Sequence, residues 1–144
     1  MRGFDRRAIG ALVVLTATGC APRSTTPRSP SKPIPAARVL EVREGLASYY
    51  ADEFNGRTTA SGSVFDNDAL LAAHPSYPFG SLVRVTNLRN RRSVDVRIVD
   101  RGPAAEVQAR GVIIDLSRAA ARQLGFIADG RTRVRVEVLR RGGS

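Results

Sequence analysis

The chain has 144 residues, of which 42% are hydrophobic, enough for one compact domain, and a formal net charge of +10 that comes almost entirely from arginine. A single cysteine excludes an internal disulfide, and one histidine beside it leaves no ligand set for a metal, so no metal or cofactor is expected. Such a charge raises nucleic acid as a partner, but no helix-turn-helix signal, zinc spacing or aromatic stacking platform accompanies it, and no nucleic acid is expected.

The first residues carry Arg2, Arg6 and Arg7, then the apolar run Ala8–Ala17, then Ala17-Thr18-Gly19-Cys20. A basic start, an apolar stretch too short to span a bilayer and small residues at its end read as an export signal over 1–19. Cys20 resembles the cysteine of a bacterial lipobox, which is acylated and becomes the mature N-terminus. A lipid anchor on Cys20 holds a protein on a membrane, and Ala21 after it favours the outer membrane, facing the periplasm. Without residues 1–19 the formal charge is +8. Anionic envelope polymers or lipid head groups fit that charge in that compartment, as does a solvated basic face. Residues 20–41 are rich in Pro, Ser and Thr and hold few large apolar groups, so they predict an extended tether. The folded unit is expected over 42–140, with 141–144 as a tail and without a second domain.

Within that unit, Leu82–Thr86, Val94–Val99 and Val134–Val138 alternate apolar and polar residues with period two, which predicts half-buried strands. Asn87–Arg92 between the first two predicts a hairpin turn. Ser117–Leu124, alanine-rich and followed by Gly125, predicts a short helix, and Asp68–Ala73 a helical turn before His74-Pro75. Several short strands with two short helices in about a hundred residues predict a small, mainly β barrel. Two aspartates end such runs: Asp100 in Ile98-Val99-Asp100-Arg101-Gly102-Pro103, and Asp115 in Ile113-Ile114-Asp115-Leu116-Ser117. Each is expected at the rim of a sheet, as a functional carboxylate or, alternatively, as turn chemistry for Asp100 and the N-cap of the following helix for Asp115.

Gly45-Leu-Ala-Ser-Tyr-Tyr50, Asn55-Gly-Arg-Thr-Thr-Ala-Ser-Gly62, Ala72-Ala-His74, Pro78-Phe-Gly80, Val99-Asp-Arg-Gly-Pro103 and Ile114-Asp-Leu-Ser117 occur in an order that resembles the rare lipoprotein A family. The resemblance implies a six-stranded double-psi β-barrel with short helices, a place in the bacterial envelope, and lytic transglycosylase activity on peptide-free peptidoglycan strands. It carries a polar site over to His74 and Asp100, while the family's glutamate after Thr-Ala-Ser-Gly is Ser63 here. Asp100 is the expected acid and base, His74 the orienting group and Asp115 the residue that shapes the pocket. Tyr50, Arg101 and Ser63 are expected along the substrate. The loss of a carboxylate at Ser63 keeps a second reading open, a non-catalytic glycan-binding or scaffolding lipoprotein. Glycan strands, the membrane and cell-division proteins are the partners so implied.

Overall fold

The computed structural model describes residues 38–143; the export signal, Cys20 and most of the tether lie outside them. Six strands, β1 (Glu41–Tyr49), β2 (Leu71–Ala73), β3 (Leu82–Asn87), β4 (Ser93–Asp100), β5 (Val112–Leu116) and β6 (Thr132–Arg140), close into a barrel in the order β1-β5-β2-β4-β3-β6. The pairs β1–β5 and β2–β4 are parallel, and the remaining four are antiparallel. Two short helices, α1 (Ala105–Gln108) and α2 (Arg118–Leu124), flank β5 in sequence.

Period-two patterning fixes which way each strand faces. On β6, Val134, Val136 and Val138 turn into the barrel while Arg133 and Arg135 stay in water, and β3 and β4 contribute Val83, Val85, Val94, Val96 and Ile98 to the same core. Each such buried side chain stabilises the fold by about 1.5–3 kcal/mol. Closure leaves no free edge between these strands. The hairpin forms as predicted, with the Asn87 N–H donating to the Arg92 carbonyl at 2.8 Å. The buried Asn87 side chain then donates to the Leu124 carbonyl at 2.9 Å and accepts from Thr132 Oγ1 at 3.0 Å, so one amide ties the hairpin to α2 and to β6.

Helix α2 matches the expected segment, but its cap differs from the one considered for Asp115. Ser117 Oγ accepts from the Ala120 N–H at 3.3 Å, and Gly125 ends the helix at φ 75. Asp115 belongs to β5 and is free for other work. The helical turn expected over Asp68–Ala73 does not form. Leu71–Ala73 is strand β2, inserted between β4 and β5, because pairing with both neighbours outweighs the helix propensity of a Leu-Leu-Ala-Ala run. Strand β1 was not legible, since only Ala47 of its nine residues is buried and no alternation marks it.

Candidate active site

Strand register sets the site. Ala73 of β2 pairs with Asp100 on β4 and with Asp115 on β5, so the two carboxyl groups flank one small, fully buried residue. Two inter-strand spacings separate their backbones, about 10 Å. A groove of about 440 Å³ opens over them, lined by Tyr50, Phe54, Asp100, Gly102, Val107 and Asp115. A smaller hollow of about 230 Å³, between Tyr50, Arg57, Thr59 and Phe65, meets it at Asp100.

The two aspartates are held differently. Asp100 accepts three hydrogen bonds: Oδ1 from the backbone N–H of Ala60 at 2.8 Å and of Arg101 at 2.9 Å, and Oδ2 from the Tyr50 hydroxyl at 2.9 Å. Burial, and then the bond to Asp100, push the Tyr50 hydroxyl far above its ordinary pKa, so it remains a donor. Its ring is wedged against Phe65, with centroids 4.3 Å apart, and meets Phe54 at 5.4 Å. Asp115 accepts from Ser48 Oγ, its register partner on β1. Burial raises the Asp115 pKa above its ordinary value, against the opposing influence of the Ser48 bond and of Arg131. The turn after β4 lets the chain pass close by. A Cβ on Gly102, at φ 153, would lie 3.4 Å from Asp115 Oδ2 and 3.9 Å from the Tyr50 hydroxyl.

Tyr49 and Tyr50 differ in their partners. Both line the groove, but Tyr49 packs edge-on to Phe126 and donates to the Ile127 carbonyl at 2.9 Å, while the Tyr50 hydroxyl bonds Asp100. Ser63 lies on the loop that delivers the Ala60 N–H to Asp100. There Thr59, Ser61 and Ser63 form a triangle of hydroxyls with oxygens 2.9–3.0 Å apart. Arg101 lines the groove, and its guanidinium is engaged by groups other than the Asp100 carboxylate. It stacks 3.8 Å from the Phe79 ring centroid and donates to the carbonyls of Tyr77 at 2.9 Å and His74 at 3.4 Å.

The structure brings Asp100, Asp115 and Tyr50 together but not the His74 ring, which an arrangement around one shared groove requires. The His74 backbone N–H donates to the Asp100 carbonyl at 3.2 Å, and the ring points to a different cavity, beside Arg43 and Gln108. Alternation explains this: Ala73 faces the groove, so the next residue faces away. Among the described residues, no group of three His, Cys, Asp or Glu is gathered as a metal site.

Sequence reasoning missed Ser48, the Ala60 N–H and Gly102. Ser48 lies in the Leu-Ala-Ser-Tyr-Tyr stretch and gives no sign of the carboxylate 67 positions away. The Ala60 donor is backbone, and no side-chain pattern announces it.

Comparison with known proteins gives the family and the fold. The family profile described as lytic transglycolase matches residues 42–136. An endolytic peptidoglycan transglycosylase RlpA of Pasteurella multocida is 53% identical over 98 residues, covering 68% of this chain and 32% of the relative. A probable endolytic peptidoglycan transglycosylase RlpA of Nostoc is 50% identical over 124 residues, 81% of this chain and 32% of the relative. The chain thus spans about a third of the length of the curated relatives it matches. Among solved structures, the Streptomyces papain inhibitor superposes with a TM-score of 0.56 at 24% identity, over 73% of this chain and all of that one. The apo expansin of Clavibacter michiganensis superposes with a TM-score of 0.54 at 22% identity, over 72% of this chain and 53% of that one. At such identities the two structures speak for the fold, a double-psi β-barrel. With its profile match extending from the second residue of β1 into β6, the chain belongs to the lytic transglycolase family.

Proposed function

We propose that this barrel is a lytic transglycosylase that cleaves β-1,4 bonds of peptide-free peptidoglycan strands, with Asp115 as proton donor and Asp100 as proton acceptor. The observation that carries the reading is the unequal setting of two carboxyl groups flanking Ala73 in one groove. Burial favours the protonated form of Asp115, whereas both Asp100 oxygens act as acceptors, from the Ala60 and Arg101 N–H groups and the Tyr50 hydroxyl. Asp115 passes its proton to the leaving glycosidic oxygen as the bond from C1 breaks. The 6-hydroxyl of the same sugar attacks C1 and gives its proton to Asp100, leaving a 1,6-anhydro end. Because the nucleophile comes from the substrate, no third carboxylate is needed, and Ser63 is compatible with turnover. Tyr50 keeps Asp100 in place, and its ring edge with Phe54 offers a face for a sugar ring.

Digestion of purified glycan strands, with and without stem peptides, followed by mass spectrometry of anhydro-ended products, tests this. Release from peptide-free strands that is lost in both Asp100→Asn and Asp115→Asn is the expected result. The hydroxyl triangle at Ser63, where the family carries a carboxylate, favours a second reading, glycan binding without cleavage. That reading predicts binding without products and a gain of turnover in Ser63→Glu. Acylation of Cys20, with outer-membrane anchoring and contact with cell-division proteins, belongs to the same proposal. Release from membrane fractions in Cys20→Ala supports the anchor; unchanged association refutes it.

A further inference from the structure

Proton transfer accounts for the groove but leaves unused the hollow of about 230 Å³ that meets it at Asp100. Tyr50, Phe54 and the buried Phe65 give this hollow an aromatic lining, and Arg57 and Thr58 give it polar groups. Arg57 is exposed, and among the described residues its guanidinium takes part in no ion pair. Its guanidinium carbon lies 5.0 Å from the centroid of the Phe54 ring, which meets Tyr50 at 5.4 Å, and Tyr50 in turn bonds Asp100 at 2.9 Å. The backbone that carries it is pinned on both sides: the Arg57 N–H donates to the Phe54 carbonyl at 3.1 Å, and the Arg57 carbonyl accepts from the Phe65 N–H at 2.8 Å.

Two cations line the hollow or the groove, Arg57 and Arg101. Arg101 is committed to the Phe79 ring and to the carbonyls of Tyr77 and His74, which leaves Arg57 for a ligand. The chemistry of the strand supplies an anion at this place. The sugar whose 6-hydroxyl attacks C1 is N-acetylmuramic acid, which bears a lactyl ether on its 3-oxygen. In its D-gluco stereochemistry the substituents at C1, C3 and C5 project to one face of the ring, so a sugar that turns its 6-hydroxyl toward Asp100 turns its lactyl group to the same side. A stem peptide joins that group through an uncharged amide, whereas in a peptide-free strand the group ends in a carboxylate. A second negative charge next to Asp100 is unfavourable unless a cation offsets it.

We propose that the hollow beside Asp100 seats the lactyl group of this sugar and that Arg57 pairs with its free carboxylate, which makes Arg57 the residue that selects peptide-free strands. The inference rests on the transglycosylase reading for the identity and pose of the sugar. The guanidinium offers a carboxylate two parallel donors, and the aromatic lining takes the lactyl methyl. An amide in the same place brings no charge for Arg57 to pair with.

The disaccharide N-acetylglucosaminyl-β-1,4-N-acetylmuramic acid tests this without turnover, because it contains no bond of the kind that is cut. Nitrogen–proton NMR titrations of the full chain compare it with its lactyl methylamide, which lacks the charge, and with N,N′-diacetylchitobiose, which lacks the lactyl group. The acid should bind about three- to tenfold more tightly than either at near-physiological salt, the scale of an exposed charge pair with good geometry, and should shift the backbone amides of Arg57, Thr58 and Phe65. Arg57→Gln, a change at an exposed side chain, should bring the acid down to the level of the methylamide. Arg57→Lys, which keeps the charge but not the fork, should retain part of the difference. Equal binding of acid and methylamide, a preference that survives in Arg57→Gln, shifts confined to another part of the surface, or no binding of the acid overturns the assignment. Cleavage is judged separately, by the release of anhydro ends. A protein that prefers the acid through Arg57 but releases none keeps the lactyl site and loses the transglycosylase reading. One that releases them equally from native strands and from strands with methylamidated lactyl groups keeps that reading and loses the site.

Discussion

Asp115→Asn separates the catalytic from the structural consequences of burying a carboxyl group. The amide keeps the shape of the side chain and an oxygen for the Ser48 hydroxyl, so packing and the hydrogen bond survive. The transferable proton does not. General acid catalysis contributes on the order of 10²–10⁴ in rate, about 2.7–5.5 kcal/mol of barrier, and the variant should lose that much of kcat while still binding glycan. Its stability should move the other way. Burial raises the pKa of Asp115 in the folded state above the ordinary 3.8. Between those two values the folded protein holds more protons than the unfolded one, so the wild type loses stability as pH rises through the folded pKa, by about 1.4 kcal/mol for each pH unit that separates them. Asn carries no such penalty. Thermal melts of both proteins from about pH 4 to about pH 8 should therefore coincide at the acid end and diverge in favour of the variant toward neutrality. Anhydro-product assays on the same samples read the rate. Native turnover in Asp115→Asn would refute its role as donor, and a constant melting difference across the pH range would refute the burial argument.

In Tyr50→Phe, Asp100 loses one donor and keeps the N–H groups of Ala60 and Arg101, so the rate should fall about 10- to 100-fold, the worth of a hydrogen bond to a charged group, while the melting temperature changes little because the ring contacts with Phe54 and Phe65 remain. Gly102→Ala should cut turnover, because φ 153 is a conformation that side chains rarely adopt and this turn carries the chain past Asp115 and Tyr50, which the methyl itself would meet only at ordinary contact distance; isothermal titration with glycan fragments should show weaker binding. The His74 pKa is depressed from 6.5 to about 4 by burial, so the folded state resists protonation and stability should drop as pH falls between those values, by roughly 3 kcal/mol in full; His74→Asn, which can still accept from the turn's N–H groups, should flatten that acid limb in urea titrations. Phe126→Ala removes a fully buried ring that Tyr49 meets edge-on and should cost about 3–5 kcal/mol by chemical denaturation.

The sequence by itself determined what repeats along the chain. Alternation marks β3, β4 and β6, because a strand with one buried face must alternate, and Gly125 marks the end of α2, because a left-handed stop is local chemistry. Motif order pointed to the barrel and, as expected site residues, to His74 and Asp100, while a strand-end position pointed to Asp115. Tertiary structure alone decided the rest. The Leu-Leu-Ala-Ala run has a helix former's composition and becomes β2 only because β4 and β5 pair with it on both sides. That pairing places Ala73 between the two aspartates and, by the same alternation, turns His74 out of their groove. The difference between Asp100 and Asp115 is likewise absent from their motifs. It arises from Ser48, Tyr50 and the Ala60 N–H, which lie 67, 50 and 40 positions from their partners, and register across a closed barrel is what brings such distant positions within hydrogen-bond reach.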